Sequence, residues 1–170
     1  MATLRVLDAG CGRSSAVALD AASLPVSREG VHVTGLDVDA GALSSNHWLD
    51  DRILGSVETY PLPAEAFDIV VCWDVLEHLS RPTLAIENLA RALKPGGVMF
   101  LGFPNVLSFK GIVTKVTPHW FHRWVYKHVY RSDLEPYPTV LRLTIRPAAI
   151  RRWAERRILE RQFCDRGRRV

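Results

Sequence analysis

A mostly parallel β-sheet covered by helices on both faces is the fold class this sequence predicts, and three observations predict it. Short apolar runs rich in β-branched residues recur at Leu4–Asp8, Val31–Asp37, Phe67–Cys72 and Val98–Phe103. Helix-forming segments lie between them, the alternation that builds a sheet from strand–helix–strand units. The first run ends in a glycine-rich turn, Ala9-Gly10-Cys11-Gly12, at the place where open α/β sheets bind ligands. The expected architecture is a three-layer α/β/α sandwich.

The elements follow in order. After the first strand and its turn, Ser15–Ala22 carries helix formers. Val31–Asp37 is the second strand and Arg52–Ser56 a short, weak third. Phe67–Cys72 is an unbroken buried strand. Ser80 and Pro82 then start a helix, because proline suits a first helical turn. Ile86, Leu89, Ala90 and Leu93 form its apolar stripe at i, i+3, i+4 and i+7. Lys94-Pro95-Gly96-Gly97 is expected to end that helix, with a strand at Val98–Phe103. Beyond Asn105, aromatic, histidine and basic residues mix, broken by Pro118, Pro136 and Pro138. A last helix is expected from Ala148 to about Arg157, and a final strand at Ile158–Phe163.

A chain of 170 residues, 48% hydrophobic and 24% charged, is long enough for one packed core without a disulfide or metal staple. Three scattered cysteines fit no disulfide framework. The amino terminus has no apolar signal region, and no stretch approaches eighteen apolar residues. The expected location is therefore the cytoplasm. The net charge of +4 conceals an asymmetry, since residues 1–105 hold 7 Lys and Arg against 13 Asp and Glu, and residues 106–170 hold 15 against 5. Two parts of one domain are expected: a ligand-binding core at 1–105, and a basic, aromatic-rich cover with the last helix and strand at 106–170.

The turn carries the first chemical signal. Glycines at 10 and 12 allow a left-handed backbone and close approach of a ligand. A dinucleotide fingerprint would put a third glycine at position 15, where Ser15 stands. Asp8, leading into the turn, is wrong for a pyrophosphate and suits a ligand bearing a positive group. Asp37, closing the second strand, is placed to accept hydrogen bonds from a ribose diol.

The series VLDAGCG, GLDVD, FDIVVCWDVLEHL and LKPGG resembles the class I S-adenosylmethionine-dependent methyltransferases, in particular their small-molecule, ubiquinone-biosynthesis-like branch (methyltransferase type 11). The likeness covers residues 4–105. It implies a Rossmann-like fold and S-adenosylmethionine as cofactor. Asp8, Gly10 and Gly12 would line its methionine end, Asp37 its ribose, and Val38 its adenine, with Ser56 and Val57 at the adenine edge. Cys72 and Trp73 would touch the methionine portion, largely through backbone. Two departures weaken the expected cofactor affinity: Ser14 replaces the family's third glycine, and Ser56 replaces an aspartate that accepts from the adenine amino group.

Methyl transfer to a hydroxyl needs alignment and a base within reach. Asp74, Glu77 and His78 form D-x-x-E-H. On a helical first turn Asp74 and His78 would share a face. Three readings stand: His78 as base, a hard-metal cluster, or solvated carboxylates beside a packing histidine. No metal site is assigned. His119 is a second candidate base, opening the stretch PHWFHRWVYKHVY. Residues 119–130 could pack on the sheet, close over an apolar or aromatic acceptor, or touch a membrane interface. The arginines of AAIRRWAERRILERQF span several helix faces, so a solvated helix is expected and no nucleic acid. The family's leading helix and seventh strand have no counterpart here, so the sequence reads as a fragment or a reduced member, its carboxyl-terminal part incomplete. An open sheet edge would favour a homodimer. The function expected is methyl transfer to a small aromatic or lipid-like acceptor, at oxygen. The alternatives are a degenerate module that only binds and, more remotely, a nicotinamide oxidoreductase.

Overall fold

The computed structural model describes residues 3–15, 29–103 and 148–156 of the chain. It divides into two compact units, Met1–Phe103 and Pro104–Val170. In the first, strands β1 (Leu4–Ala9), β2 (Val31–Asp37), β3 (Asp51–Leu54), β4 (Phe67–Trp73) and β5 (Leu93–Gly102) alternate with helices α1 (Ala40–Ser45) and α2 (Pro82–Ala92). A single 3-10 turn, Leu76–His78, follows β4.

Among the described residues the five strands are all parallel, in the order β3-β2-β1-β4-β5. The order reverses between β1 and β4. Right-handed crossovers therefore put α1, between β2 and β3, and α2, between β4 and β5, on opposite faces of the sheet. That is the three-layer, doubly wound architecture expected. Register fixes the core. Val6 pairs with Val33 and Ile69, and on that face Val6, Val33, Leu43, Leu49 and Cys11 form one buried cluster. The alternate residues Leu7, Leu36, Val70 and Cys72 point to the other face and are fully buried. On α2 the buried stripe is Pro82, Ala85, Ile86, Leu89 and Ala92. Full burial of a residue such as Leu89 contributes about 2 kcal/mol.

Several boundaries differ from expectation. The third strand is Asp51–Leu54, starting one residue earlier and stopping before Gly55. Lys94–Gly97 does not form a break between helix and strand: α2 ends at Ala92, and β5 already starts at Leu93. Proline is tolerated because it falls in the irregular stretch between the paired residues Leu93 and Val98, outside the regular ladder. The register slips between Phe67 and Ile69 to absorb the glycines. Gly96 is left-handed at φ 79°, and a Cβ on Gly97 would lie 2.8 Å from the Asp68 carbonyl oxygen. Lys94 Nζ closes this end on both Asp68 carboxylate oxygens, at 2.8 and 2.9 Å. Helix α1 was not foreseen. It rests on Asp39, whose Oδ1 accepts from the backbone N–H groups of Gly41 and Ala42.

In the second unit, residues 148–156 form a helix, close to the extent expected, with Arg151, Arg152 and Arg156 exposed and Ile150, Trp153 and Ala154 half-buried. The helix expected beyond Ser15, the segment 119–130 and the strand at 158–163 lie outside the described residues. Among the described residues, no helix is long and apolar enough to cross a membrane.

Candidate functional site

Every predicted site residue that the structure describes sits at the carboxyl ends of the strands or in the loops leaving them. Asp8 to Gly12 leave β1, Asp37 and Val38 leave β2, Ser56 and Val57 follow β3, Cys72 and Trp73 end β4, and His78 follows it. The strand order reverses there, between β1 and β4, the place where open α/β sheets bind their ligands. His119 lies outside the described residues.

The turn after β1 is held in an unusual backbone form. Gly10 has φ 75° and Gly12 φ 55°, values that cost an ordinary residue about 1–2 kcal/mol. The two glycines serve different ends. A Cβ on Gly10 would lie 2.2 Å from Val75 Cγ2, so this glycine lets the turn pack on the chain leaving β4. Among the described residues, a Cβ on Gly12 would meet nothing within 4 Å. Among the described residues Gly12 therefore stands uncovered, as a backbone cradle requires.

Two carboxylates flank that cradle. Asp8 is buried, and its Oδ2 accepts a hydrogen bond from the Ser15 hydroxyl. Asp37 Oδ2 accepts from the Gly12 N–H at 2.8 Å, and its Oδ1 from the Asp39 N–H at 2.9 Å. Between them Cys11 is buried, and burial, then Asp8 and Asp37, push its thiol up to about 12. Val38, next in sequence, is 71% exposed.

The loop after β3 is tied to α2. Asn88 Nδ2 donates to the carbonyls of Val57 and Tyr60 at 3.0 and 2.8 Å, and Arg91 donates to the Leu62 carbonyl at 2.9 Å. Val57 is buried, and the Ser56 hydroxyl oxygen accepts from the Glu58 N–H at 3.2 Å. At the end of β4, Cys72 is fully buried, its thiol raised to about 12 by burial, then by Asp8 and Glu77. Trp73 is half-exposed, its indole lying where a Gly102 Cβ would be.

The D-x-x-E-H segment corrects the sequence reading. Asp74 is left-handed at φ 53° and stands outside the 3-10 turn, so Asp74 and His78 are not one helical turn apart on a shared face. The physical reason is the exit from β4, where the Asp74 N–H is held by the Gly102 carbonyl at 2.9 Å. His78 is exposed and Glu77 is 3% exposed, with no hydrogen-bond partner for Oε2. Burial raises the Glu77 carboxyl above its usual range. No group of three or more metal-ligating side chains clusters among the described residues.

A family model described as a methyltransferase domain matches residues 7–101, from the core of β1 to the end of β5. This chain belongs to that methyltransferase-domain family. Methyltransferase-domain relatives include the ubiquinone biosynthesis O-methyltransferase of Hahella chejuensis, 32% identical over 146 residues, covering 76% of this chain and 58% of the relative. The protein of the same name from Xanthomonas oryzae is 34% identical over 146 residues, covering 80% and 59%. The chain thus spans less than two thirds of the length of these curated relatives. A solved SAM-dependent methyltransferase from Archaeoglobus fulgidus shares the fold at TM-score 0.58 and 19% identity, over 90% of this chain and 59% of that one.

Three features of this methyltransferase-domain site were missed in the sequence. Ser15, read as a missing glycine, is the hydroxyl that bonds Asp8. Asn46 reaches back to the glycine turn, and Asn88 with Arg91 holds the loop after β3. Only the first had a nearby signal, a serine seven residues after the acid it serves.

Proposed function

We propose that this chain binds S-adenosylmethionine across the carboxyl ends of β1 to β4 and transfers its methyl group to an oxygen of a small aromatic or lipid-like acceptor. The observation that carries this is the cradle at Gly12: a left-handed glycine that no described residue covers, between the carboxylates of Asp8 and Asp37. Negative potential at that place suits a ligand with an ammonium and a sulfonium, and opposes a pyrophosphate. The residues present fit the group. Asp37 keeps lone pairs beyond its two backbone bonds to accept ribose hydroxyls. Val38 offers a bare apolar side chain to an adenine face, and Ser56 and Val57 stand at its edge. Gly10, Cys72 and Trp73 supply backbone toward the methionine end.

When bound, the cofactor supplies a methyl group on a cationic sulfur, open to in-line displacement. This chain's part is to align the acceptor oxygen and to take its proton. His78 is the described candidate for that base, exposed on the turn after β4. His119 is the second candidate. The family likeness and the relatives' names support oxygen as the acceptor atom.

The test is turnover. Purified chain is incubated with S-adenosylmethionine and a panel of phenols and lipid quinols, and S-adenosylhomocysteine release is measured. At least one acceptor is expected to raise release above the acceptor-free rate, with loss in His78→Ala. Binding of the cofactor with no release across the panel would leave a binding module in place of an enzyme.

A further inference from the structure

Gly12 is gripped on both sides of its peptide by side chains from distant segments. Its N–H is taken by Asp37, 25 positions away, and its carbonyl by the Asn46 amide, 34 positions away, at 3.1 Å. Asn46 is completely buried at the end of α1. Its Nδ2 also reaches the Cys11 carbonyl at 3.5 Å, and its Oδ1 accepts from the Trp48 N–H at 3.1 Å. The backbone around Asn46 is itself secured. Arg52 of β3 donates through Nε to the Leu43 carbonyl at 2.9 Å and through Nη2 to the Asn46 carbonyl at 2.7 Å, occupying acceptors that a helix end leaves open.

A buried amide that spends both ends on backbone fixes a conformation. Left alone, a glycine-rich turn samples many backbone states, and ordering it on binding would weaken affinity. We infer that Asn46, held by Arg52, is a positioning residue that sets the Gly12 carbonyl and so presents the turn ready-formed to the cofactor. The inference deepens the proposed function and rests on the carboxyl ends of β1 to β4 being the cofactor site. It also accounts for a turn that keeps its shape with serines at both positions, 14 and 15, where a third glycine could stand. Side chains from α1 and β2 hold it.

The experiment is calorimetric titration of S-adenosylhomocysteine into the full chain and its Asn46→Ala, Arg52→Met and double variants. Removing the clamp is expected to raise Kd about tenfold, the loss of roughly one ordered backbone residue, at unchanged binding stoichiometry. Arg52→Met is expected to act in the same direction and less, with the double variant short of the sum because both act through one path. A merely structural role would lower the stoichiometry and leave Kd alone, and that result overturns the inference. So does a wild-type Kd in the folded variants. If Asn46→Ala does not fold, Arg52→Met decides by the same criteria. A wild-type chain that binds no S-adenosylhomocysteine defeats the cofactor reading and this inference together, whereas wild-type binding with unaffected variants defeats this inference alone.

Discussion

Gly10 and Gly12 are two residues apart, share a left-handed backbone, and differ in what a side chain would meet. That difference separates stability from binding. Gly10→Ala carries the left-handed cost, about 1–2 kcal/mol, and the overpacking of a methyl against Val75, about 1–3 kcal/mol. The total is about 2–5 kcal/mol, which for a chain of this size lowers Tm by roughly 10 °C. Gly12→Ala carries only the backbone cost, about 1–2 kcal/mol, because no described residue lies within 4 Å of its Cβ position. Its Tm is expected to fall by roughly 4 °C. Its methyl, however, projects into the space proposed for the cofactor. Thermal unfolding by circular dichroism and titration with S-adenosylhomocysteine are run on both variants. Gly12→Ala is expected to weaken binding far more than tenfold while staying folded. Equal stability losses at the two positions, or wild-type affinity in Gly12→Ala, would refute the assignment of the space at Gly12 to a ligand.

Three further outcomes are expected. Glu77 has its carboxyl raised by burial, so its folded pKa exceeds the unfolded one. Its contribution is then full below the ordinary glutamate range and lost as pH rises through the folded value. Glu77→Gln should accordingly raise Tm at pH 8 and leave it unchanged at pH 4, and a gain that persists at pH 4 would contradict this. The Cys11 and Cys72 thiols, each at about 12, hold only about one part in ten thousand thiolate at pH 8, so peptide mapping after thiol labelling of native protein should find both unmodified. Rapid labelling of either would show the turn or β4 to be open. Asn88→Ala removes two hydrogen bonds to the loop after β3, a loss of about 1–3 kcal/mol in urea unfolding, and the same variant should bind S-adenosylhomocysteine more weakly. Unchanged affinity would detach that loop from the site.

Apolar runs made β1, β2 and β4 legible, because a strand buried on both faces writes its position in consecutive residues. The same runs placed Asp8, Gly10, Gly12, Asp37, Val38, Cys72 and Trp73 at or just beyond strand ends, whereas Ser56 and Val57 follow the weak β3. Helix α1 was not, being six residues long with its start marked by a single capping aspartate, Asp39. The run Lys94–Gly97 misled because proline and glycine usually punctuate, whereas a strand with a slipped register tolerates both at the irregularity. Asp74 misled because a helical spacing says nothing about a left-handed residue at the start. Asn46 and Asn88 were invisible for a different reason. Each acts on carbonyls about thirty positions away, a relation that only the folded sheet creates.

The most direct measurement is calorimetric titration of S-adenosylhomocysteine into the wild-type chain and Asp37→Ala, with folding of both verified by circular dichroism. Asp37 links the glycine turn to the end of β2 and is the residue assigned to the ribose. Saturable one-to-one binding by the wild type, lost in the folded variant, is the expected result. A folded wild-type chain that takes up no ligand would contradict the cofactor site at the carboxyl ends of the strands.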